Sequence, residues 1–274
     1  MTTIQAIILA FIQGITELFP ISSLGHAVLA PRLLNWGFDQ HAPDFLAYLV
    51  VMHLGTAVAM FIYFCRDWMS FLSSLIDASA PNAAENRRVF FLVVLATIPA
   101  VIVGATFGKI LREAFANPWI AAVFLIANGF VLYVGDRFGK QANADLRHLN
   151  WKGALSVGVA QCFALIPGMS RSGLTIVMGV VAGLRHEAAA RFSFLLGAPI
   201  ILAANVWEAP KLLKEGATLG GASLISAAVA GIVAYATLVL FMRYFKSHEA
   251  EALNPFAFYC WGAGALSLVA MAFI

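Results

Sequence analysis

Apolar runs near residues 45–64, 89–108, 119–135, 191–207, 222–242 and 254–274 dominate this chain. Each is about long enough to cross a ~30 Å hydrocarbon core as a helix. A segment that crosses a bilayer must satisfy its backbone N–H and C=O groups internally, so these runs commit the chain to a helical bundle. Composition agrees. Of 274 residues, 61% are hydrophobic and 11% charged, against about 25% charged in an ordinary soluble domain. The expected product is an all-α polytopic membrane protein forming a single integral membrane domain over residues 1–274.

Two further apolar regions, 1–34 and 153–184, are broken in the middle by Pro20 and by Pro167-Gly168, with polar residues at each break. Either half of each region is too short or too interrupted for a comfortable span. Re-entrant helical hairpins fit better, because non-helical backbone at membrane depth is tolerated only where protein or a water-filled cavity surrounds it. Two ordinary Pro-kinked helices are the alternative. The start, Met1-Thr-Thr-Ile, lacks a positive n-region, so the first hairpin is read as mature protein.

Sliding one hairpin over the other with an offset of 148 superposes Gln13 on Gln161, Ser22 on Ser170 and Gly25 on Gly173, with Pro20 and Pro167 one position out of register. Asn117-Pro118-Trp119 and Asn254-Pro255-Phe256 echo each other at the start of two later runs. Each half then reads as a re-entrant hairpin plus three transmembrane helices, repeat 1 about 1–135 and repeat 2 about 151–274. An odd number of crossings per half makes the repeats inverted, as in many transporter folds.

Charge gives the orientation. Alternating the loops puts Arg66, Arg87, Arg88, Arg137, Lys140, Arg147, Lys152, Arg185, Arg191, Arg243 and Lys246 on one face, against Arg32, Lys109, Arg112, Lys211 and Lys214 on the other. The positive-inside rule makes the first face cytoplasmic and both termini periplasmic. The hairpins then enter from opposite sides, and their tips can meet near mid-membrane.

Those tips carry the chemistry. One is Gln13-Gly-Ile-Thr-Glu17-Leu-Phe-Pro-Ile-Ser-Ser-Leu-Gly-His26, the other Pro167-Gly-Met-Ser-Arg171-Ser-Gly-Leu-Thr175. Glu17 and Arg171 are ionisable groups well inside apolar sequence, where such groups pair, line a watery cavity or serve function. Gln13 and Glu17, spaced i, i+4, share one helical face and offer oxygen ligands suited to a divalent cation, Mg²⁺ or Ca²⁺, whose other ligands are phosphate and water. A structural ion pair between Glu17 and Arg171 is the plainer reading. Ser22, Ser23 and His26 form a hydroxyl-rich turn ending in an imidazole able to act as acid, base or nucleophile at phosphorus. Ser170, Arg171, Ser172 and Thr175 offer hydroxyls, helix-start N–H groups and a planar fork of donors that match phosphate oxygens. A plain helix cap at Ser170 or Ser172 competes with that anion site.

Other residues say less. Cys65, Cys162 and Cys260 are odd in number and widely spaced, indicating neither a disulfide framework nor a metal knuckle. The net charge of +3 and the scattered basic residues give no nucleic-acid footprint. His53 fits a partner of the site or a hydrogen-bonded core histidine equally well. Glu208, Lys211, Lys214 and Glu215 read as a solvated loop.

Together the two motifs, followed by Phe192-Ser-Phe-Leu-Leu196 and Pro199, closely resemble the bacterial undecaprenyl-diphosphate phosphatases of the bacitracin-resistance type, over essentially the whole chain. The resemblance implies hydrolysis of undecaprenyl diphosphate to undecaprenyl phosphate and inorganic phosphate. The reaction depends on a divalent cation and recycles a lipid carrier of cell-wall synthesis in the bacterial inner membrane. It carries catalytic roles onto Glu17, His26, Ser23 and Arg171, diphosphate binding onto Ser22, Ser170, Arg171, Ser172 and Thr175, and metal binding onto Gln13 and Glu17. The chain departs from the family pattern at Gln13, where many members have Glu, at Leu24, where Thr is usual, and at His53, where Gln is common. The expected partners are a polyprenyl diphosphate and membrane lipid, with a homodimer left open. A carrier that flips undecaprenyl phosphate is the competing function. The motifs of phosphatidic-acid-type phosphatases are absent from the sequence.

Overall fold

The computed structural model describes residues 1–139, 142–217, 221–248 and 251–274, the side chains of 109–115 excepted. Among these, the chain folds entirely as helices, with no sheet beyond an isolated bridge between Ala144 and Leu184. Six helices are long and apolar enough to cross a membrane: α3 (Pro43–Tyr63), α5 (Ala83–Phe115), α6 (Pro118–Phe138), α9 (His186–Lys214), α10 (Gly221–Ser247) and α11 (Asn254–Phe273). They coincide with the six runs read from the sequence. Their outward faces expose large apolar residues such as Phe91, Phe130, Ile232, Leu240 and Leu266. An apolar surface that extensive belongs against lipid.

Local sequence sets where these helices begin. Asn117 caps α6, its side-chain oxygen accepting from the N–H groups of Trp119 at 3.0 Å and Ile120 at 3.2 Å. Pro118 follows in the first turn, where a missing N–H costs nothing. The matching Asn254-Pro255 also opens a helix, α11, with Pro255 in its first turn, but there Leu253 is the cap and no side chain bonds the free N–H groups.

The two interrupted regions form two helix–turn–helix pairs. These are α1 (Thr3–Thr16) with α2 (Ser23–Leu33), and α7 (Trp151–Phe163) with α8 (Arg171–Val181). At 14, 11, 13 and 11 residues, none has the roughly 20 residues a span needs.

Two stretches were not legible in advance. Glu208, Lys211 and Lys214, read as a solvated loop, belong to the last turns of α9, with Glu215 at its end. The segment carrying Arg66 is itself a helix, α4 (Cys65–Ile76), too short for a hydropathy window to register as a span. Its Phe71 is buried, and its Asp67 pairs with Arg191 of α9. Of the basic residues used to orient the chain, Lys140 and the side chains of Lys109 and Arg112 lie outside the described residues. At the end of the bundle that holds the 136–152 segment, Arg88 donates to the carbonyls of Arg147 and Leu149, both at 2.7 Å. Arg185 meets Asp145 at 2.8 Å, and His186 meets Asp136 at 2.7 Å.

Helices inside lipid gain little from burying apolar groups against each other, so close approach through small residues matters more. α3 packs on α10, α1 on α10, α5 on α7, and α6 on α11. A Cβ on Gly55 of α3 would lie 2.1 Å from the Ala227 carbonyl oxygen of α10, and one on Gly158 of α7 would lie 2.5 Å from the Ala96 carbonyl oxygen of α5. Both meet backbone, which cannot yield. Gly55→Ala is therefore expected to cost about 1–3 kcal/mol through overpacking, read as a lower unfolding temperature in detergent. Gly262→Ala, whose Cβ meets nothing within 4 Å, should leave that temperature unchanged.

Candidate active site

The first turn exists because α1 stops just ahead of Pro20 and the chain must reverse. Ser22 makes the reversal with φ 68°, a conformation costly for a side-chain-bearing residue. It also caps α2 by accepting from the Gly25 N–H at 3.2 Å. The second turn uses Gly168 at φ +94°, where a Cβ would lie 2.2 Å from the Ala121 carbonyl oxygen, so only glycine fits. Ser170 then caps α8, accepting from Gly173 N–H at 3.1 Å.

Asn128, a buried amide in the middle of α6, ties the two turns together. Its Nδ2 donates to the Pro20 carbonyl at 2.8 Å, and its Oδ1 accepts from Ser170 N–H at 3.1 Å. Ser172 adds a second tie, donating to the Phe19 carbonyl at 3.1 Å. These contacts bring Arg171 against Glu17, 154 positions away in sequence, with Nη2 donating to Oε1 at 3.1 Å. The other carboxylate oxygen accepts from Ser23 Oγ at 2.6 Å and Gln13 Nε2 at 3.0 Å. His53 Nε2 stands 3.4 Å from it, the ring being held by a 2.7 Å contact of Nδ1 with the Leu49 carbonyl. Glu17 is 6% exposed, and this ring of donors compensates the burial of its charge.

Arg171 is fixed from behind as well. Nη1 donates to the Ser193 carbonyl of α9 at 3.1 Å. The guanidinium lies over Gly197, where a Cβ would fall 2.2 Å from Nη1. Its Nε is buried with no partner among the described residues.

These groups form the polar end of a cavity of about 470 Å³. Glu17, Ser22, Ser23, His53, Ser170 and Arg171 line that end, and the walls are mainly apolar, with Val50, Val101, Ile200 and Ile201 from α3, α5 and α9, interrupted by Asn205 and Glu208 of α9. A volume of this size with a few convergent polar groups is what small-molecule sites show.

The remaining residues singled out in the sequence lie elsewhere. Gln13 sits behind Glu17 and is not on the cavity wall. Ser172 and Thr175 hold the second turn: Thr175 Oγ1 donates to the Arg171 carbonyl at 2.7 Å and meets Ser193 Oγ at 2.6 Å. His26 is turned away from the cavity, with Nδ1 2.7 Å from the Ser22 carbonyl and Nε2 2.8 Å from the Tyr259 hydroxyl of α11. His53, rather than His26, faces the carboxylate.

Among the described residues no three His, Cys, Asp or Glu side chains converge, so a protein-built metal cage is not present there. Glu17 and Gln13 nevertheless suit a hard cation in part. Gln13 Oε1 is buried without a partner among the described residues, next to a carboxylate. Two oxygen donors fall short of the six that Mg²⁺ takes, leaving phosphate oxygens and water to complete the shell.

Asn128, Ser193, Gly197 and Tyr259 escaped sequence reasoning. Asn128 had a signal, being a lone amide inside an apolar span. Ser193 had only its place between Phe192 and Phe194. Gly197 and Tyr259 matter through what packs over them, which no local pattern reports.

The sequence matches the family described as Bacitracin resistance protein BacA over residues 6–266. It is 45% identical over 280 residues to the undecaprenyl-diphosphatase of Acidiphilium cryptum (strain JF-5), covering 100% of this chain and 99% of that one. It is 46% identical over 280 residues to that of Granulibacter bethesdensis (strain ATCC BAA-1260 / CGDNIH1), covering 96% and 95%. It is 44% identical over 272 residues to undecaprenyl-diphosphatase 2 of Chromobacterium violaceum, covering 98% and 99%.

Asn128→Leu keeps the bulk but leaves the Pro20 carbonyl and the Ser170 N–H without their partner. Each buried orphan costs about 1–3 kcal/mol, so a lower unfolding temperature is expected together with reduced activity. Asn128→Asp, which keeps the acceptor for Ser170, should fall between Leu and the native residue.

Proposed function

The chain belongs to the bacitracin resistance protein BacA family, and from that premise we propose that it is a membrane phosphatase hydrolysing undecaprenyl diphosphate to undecaprenyl phosphate and inorganic phosphate. The observation that carries the reading is the buried Glu17–Arg171 pair at the polar end of a mainly apolar cavity within the membrane bundle. A lipid whose tail stays in the bilayer and whose head is a diphosphate matches both ends of that cavity.

In this reading Arg171 clamps the diphosphate, with Ser22 and Ser170 donating from the cavity wall and Ser172 and Thr175 holding the turn in shape. Ser23 and Glu17, 2.6 Å apart, receive the proton leaving the attacking oxygen. His26 enters the proton path by exchanging its bond to Tyr259. A divalent cation, Mg²⁺ or Ca²⁺, held by Glu17 and Gln13, would neutralise charge on the phosphoryl oxygens.

The architecture we propose is the inverted repeat, 1–135 and 151–274, with α1–α2 and α7–α8 as re-entrant hairpins. Exchange of packing partners supports it: α1 lies on α10 while α7 lies on α5, and α3 meets α10 while α9 meets α5. Each swap follows from interchanging the halves. Both termini then face the periplasm, and the cavity opens to that side of the inner membrane.

Phosphate release from the purified chain given a long-chain prenyl diphosphate should require Mg²⁺ or Ca²⁺ and stop with EDTA. No release with metal present would overturn the enzyme reading in favour of a carrier. Arg171→Ala should lose about 10²–10³ in turnover, as removal of one preorganised donor does, and Arg171→Lys should already be strongly impaired because it keeps the charge and loses the fork. Wild-type rates in the Lys variant would mean that the pair is structural. His26→Ala should cut turnover about 10²-fold, while Tyr259→Phe changes it little; full activity of the His26 variant removes it from the proton path.

Orientation is tested separately. A reporter active only in the cytoplasm should be silent when fused after Ile274 and active when inserted in the 136–152 segment. A signal from the C-terminal fusion refutes the inverted arrangement.

A further inference from the structure

Gln161 of α7 is 2% exposed, and neither its Nε2 nor its Oε1 has a hydrogen-bond partner among the described residues. Buried polar side chains nearly always find partners, so one with both ends unmatched needs a reason. The residue lines the same cavity as Glu17 and Arg171.

The repeat supplies that reason. Gln161 occupies the place in the second hairpin that Gln13 occupies in the first, at the offset of 148. Four residues on, on the same helical face, Gln13 finds Glu17 and donates to it at 3.0 Å. Gln161 finds Leu165, which lines the cavity as well. The first amide donates to a carboxylate, whereas the second keeps its full hydrogen-bonding capacity, buried in a residue that lines the cavity.

We propose that Gln161 is a binding residue for the anionic head group, its Nε2 donating to a phosphoryl oxygen and its Oε1 accepting from a protonated phosphoryl oxygen or from water. A neutral amide suits this place. Arg171 already supplies the positive charge, and a second carboxylate would repel the diphosphate. The ligand class rests on the phosphatase reading, but the binding itself does not require turnover.

The test uses the full-length chain in detergent, with inorganic pyrophosphate as probe and two readouts: thermal unfolding with and without pyrophosphate, and phosphate release from farnesyl diphosphate. Gln161→Met has nearly the same shape without the amide. It should unfold no lower than wild type in the absence of ligand, because it removes unmatched polar atoms, and should need about tenfold more pyrophosphate for the same protection. KM for farnesyl diphosphate should rise by a similar factor, with kcat changing less. Gln161→Glu should lose protection further through repulsion. Should the Met variant unfold at lower temperature while pyrophosphate protection and KM stay at wild-type values, the amide is a structural group and the proposal falls. If the wild type releases no phosphate yet pyrophosphate protects it in a Gln161-dependent way, the phosphatase reading fails and the binding role stands.

Discussion

A carboxylate and a guanidinium facing each other at 3.1 Å inside a membrane bundle set the terms for everything around them. Neither charge is tolerable alone at that depth, and removing one partner of a buried pair costs about 3–5 kcal/mol because the other is left uncompensated. The pair joins two helix ends, Glu17 closing α1 and Arg171 opening α8. Both apolar regions that carry it are broken beside it, one at Pro20 and one at Pro167-Gly168. The breaks in turn release backbone groups that something must satisfy. Asn128 does so for both turns at once, and Ser22, Ser170 and Ser172 do the rest. Polar residues in the two motifs thus divide into those that make the turns possible and those that use the resulting opening.

That division explains what the sequence could and could not disclose. Spans declare themselves through some twenty apolar residues in a row, and the six helices fall where the runs lie. Proline and Pro-Gly inside apolar sequence mark backbone that cannot continue as helix, so the two breaks were equally visible. The pairing of Glu17 with Arg171 was expected from charge cost together with an arrangement that lets the two tips meet. Roles within the motifs were less legible, because a hydroxyl reads the same whether it caps a helix or faces a ligand. Ser172 and Thr175 look like anion ligands in sequence and turn inward to the Phe19 and Arg171 carbonyls in space. His26 and His53 show the same limit. The one next to the motif's serines is drawn aside by Tyr259, while the one in an apolar span reaches the carboxylate. Long-range packing decides each case, and it has no local signature.

The departures from the family pattern also look different in three dimensions. Gln13 carries no charge where many members carry one, but here it donates to Glu17 from behind and does not line the cavity. Replacing a carboxylate there with an amide exchanges repulsion beside Glu17 for a hydrogen bond, leaving the negative charge of the site on one residue. His53, standing where Gln is common, then sets a second nitrogen 3.4 Å from the same carboxylate oxygen. The two substitutions act on one group, since both set a side-chain nitrogen against Oε2 of Glu17.

The shape of the cavity separates chemistry from lipid recognition. Its polar end is built from the turns of the two hairpins, whose geometry is fixed by caps and by Asn128. Its walls come from α3, α5 and α9, where Val50, Val101, Ile201 and their neighbours offer mainly apolar surface, with Asn205 and Glu208 of α9 as polar exceptions. Apolar contact is permissive, a methylene more or less being worth only about 1–3 kcal/mol, so on the proposed reading the walls would hold a tail without demanding one chain length. Hydrogen-bonding sites are strict, because an ill-fitting head leaves buried donors unpaired. On the proposed reading, discrimination between one phosphoryl group and two then resides where the Arg171 fork at the turn and the unmatched amide of Gln161 in α7 meet the head group.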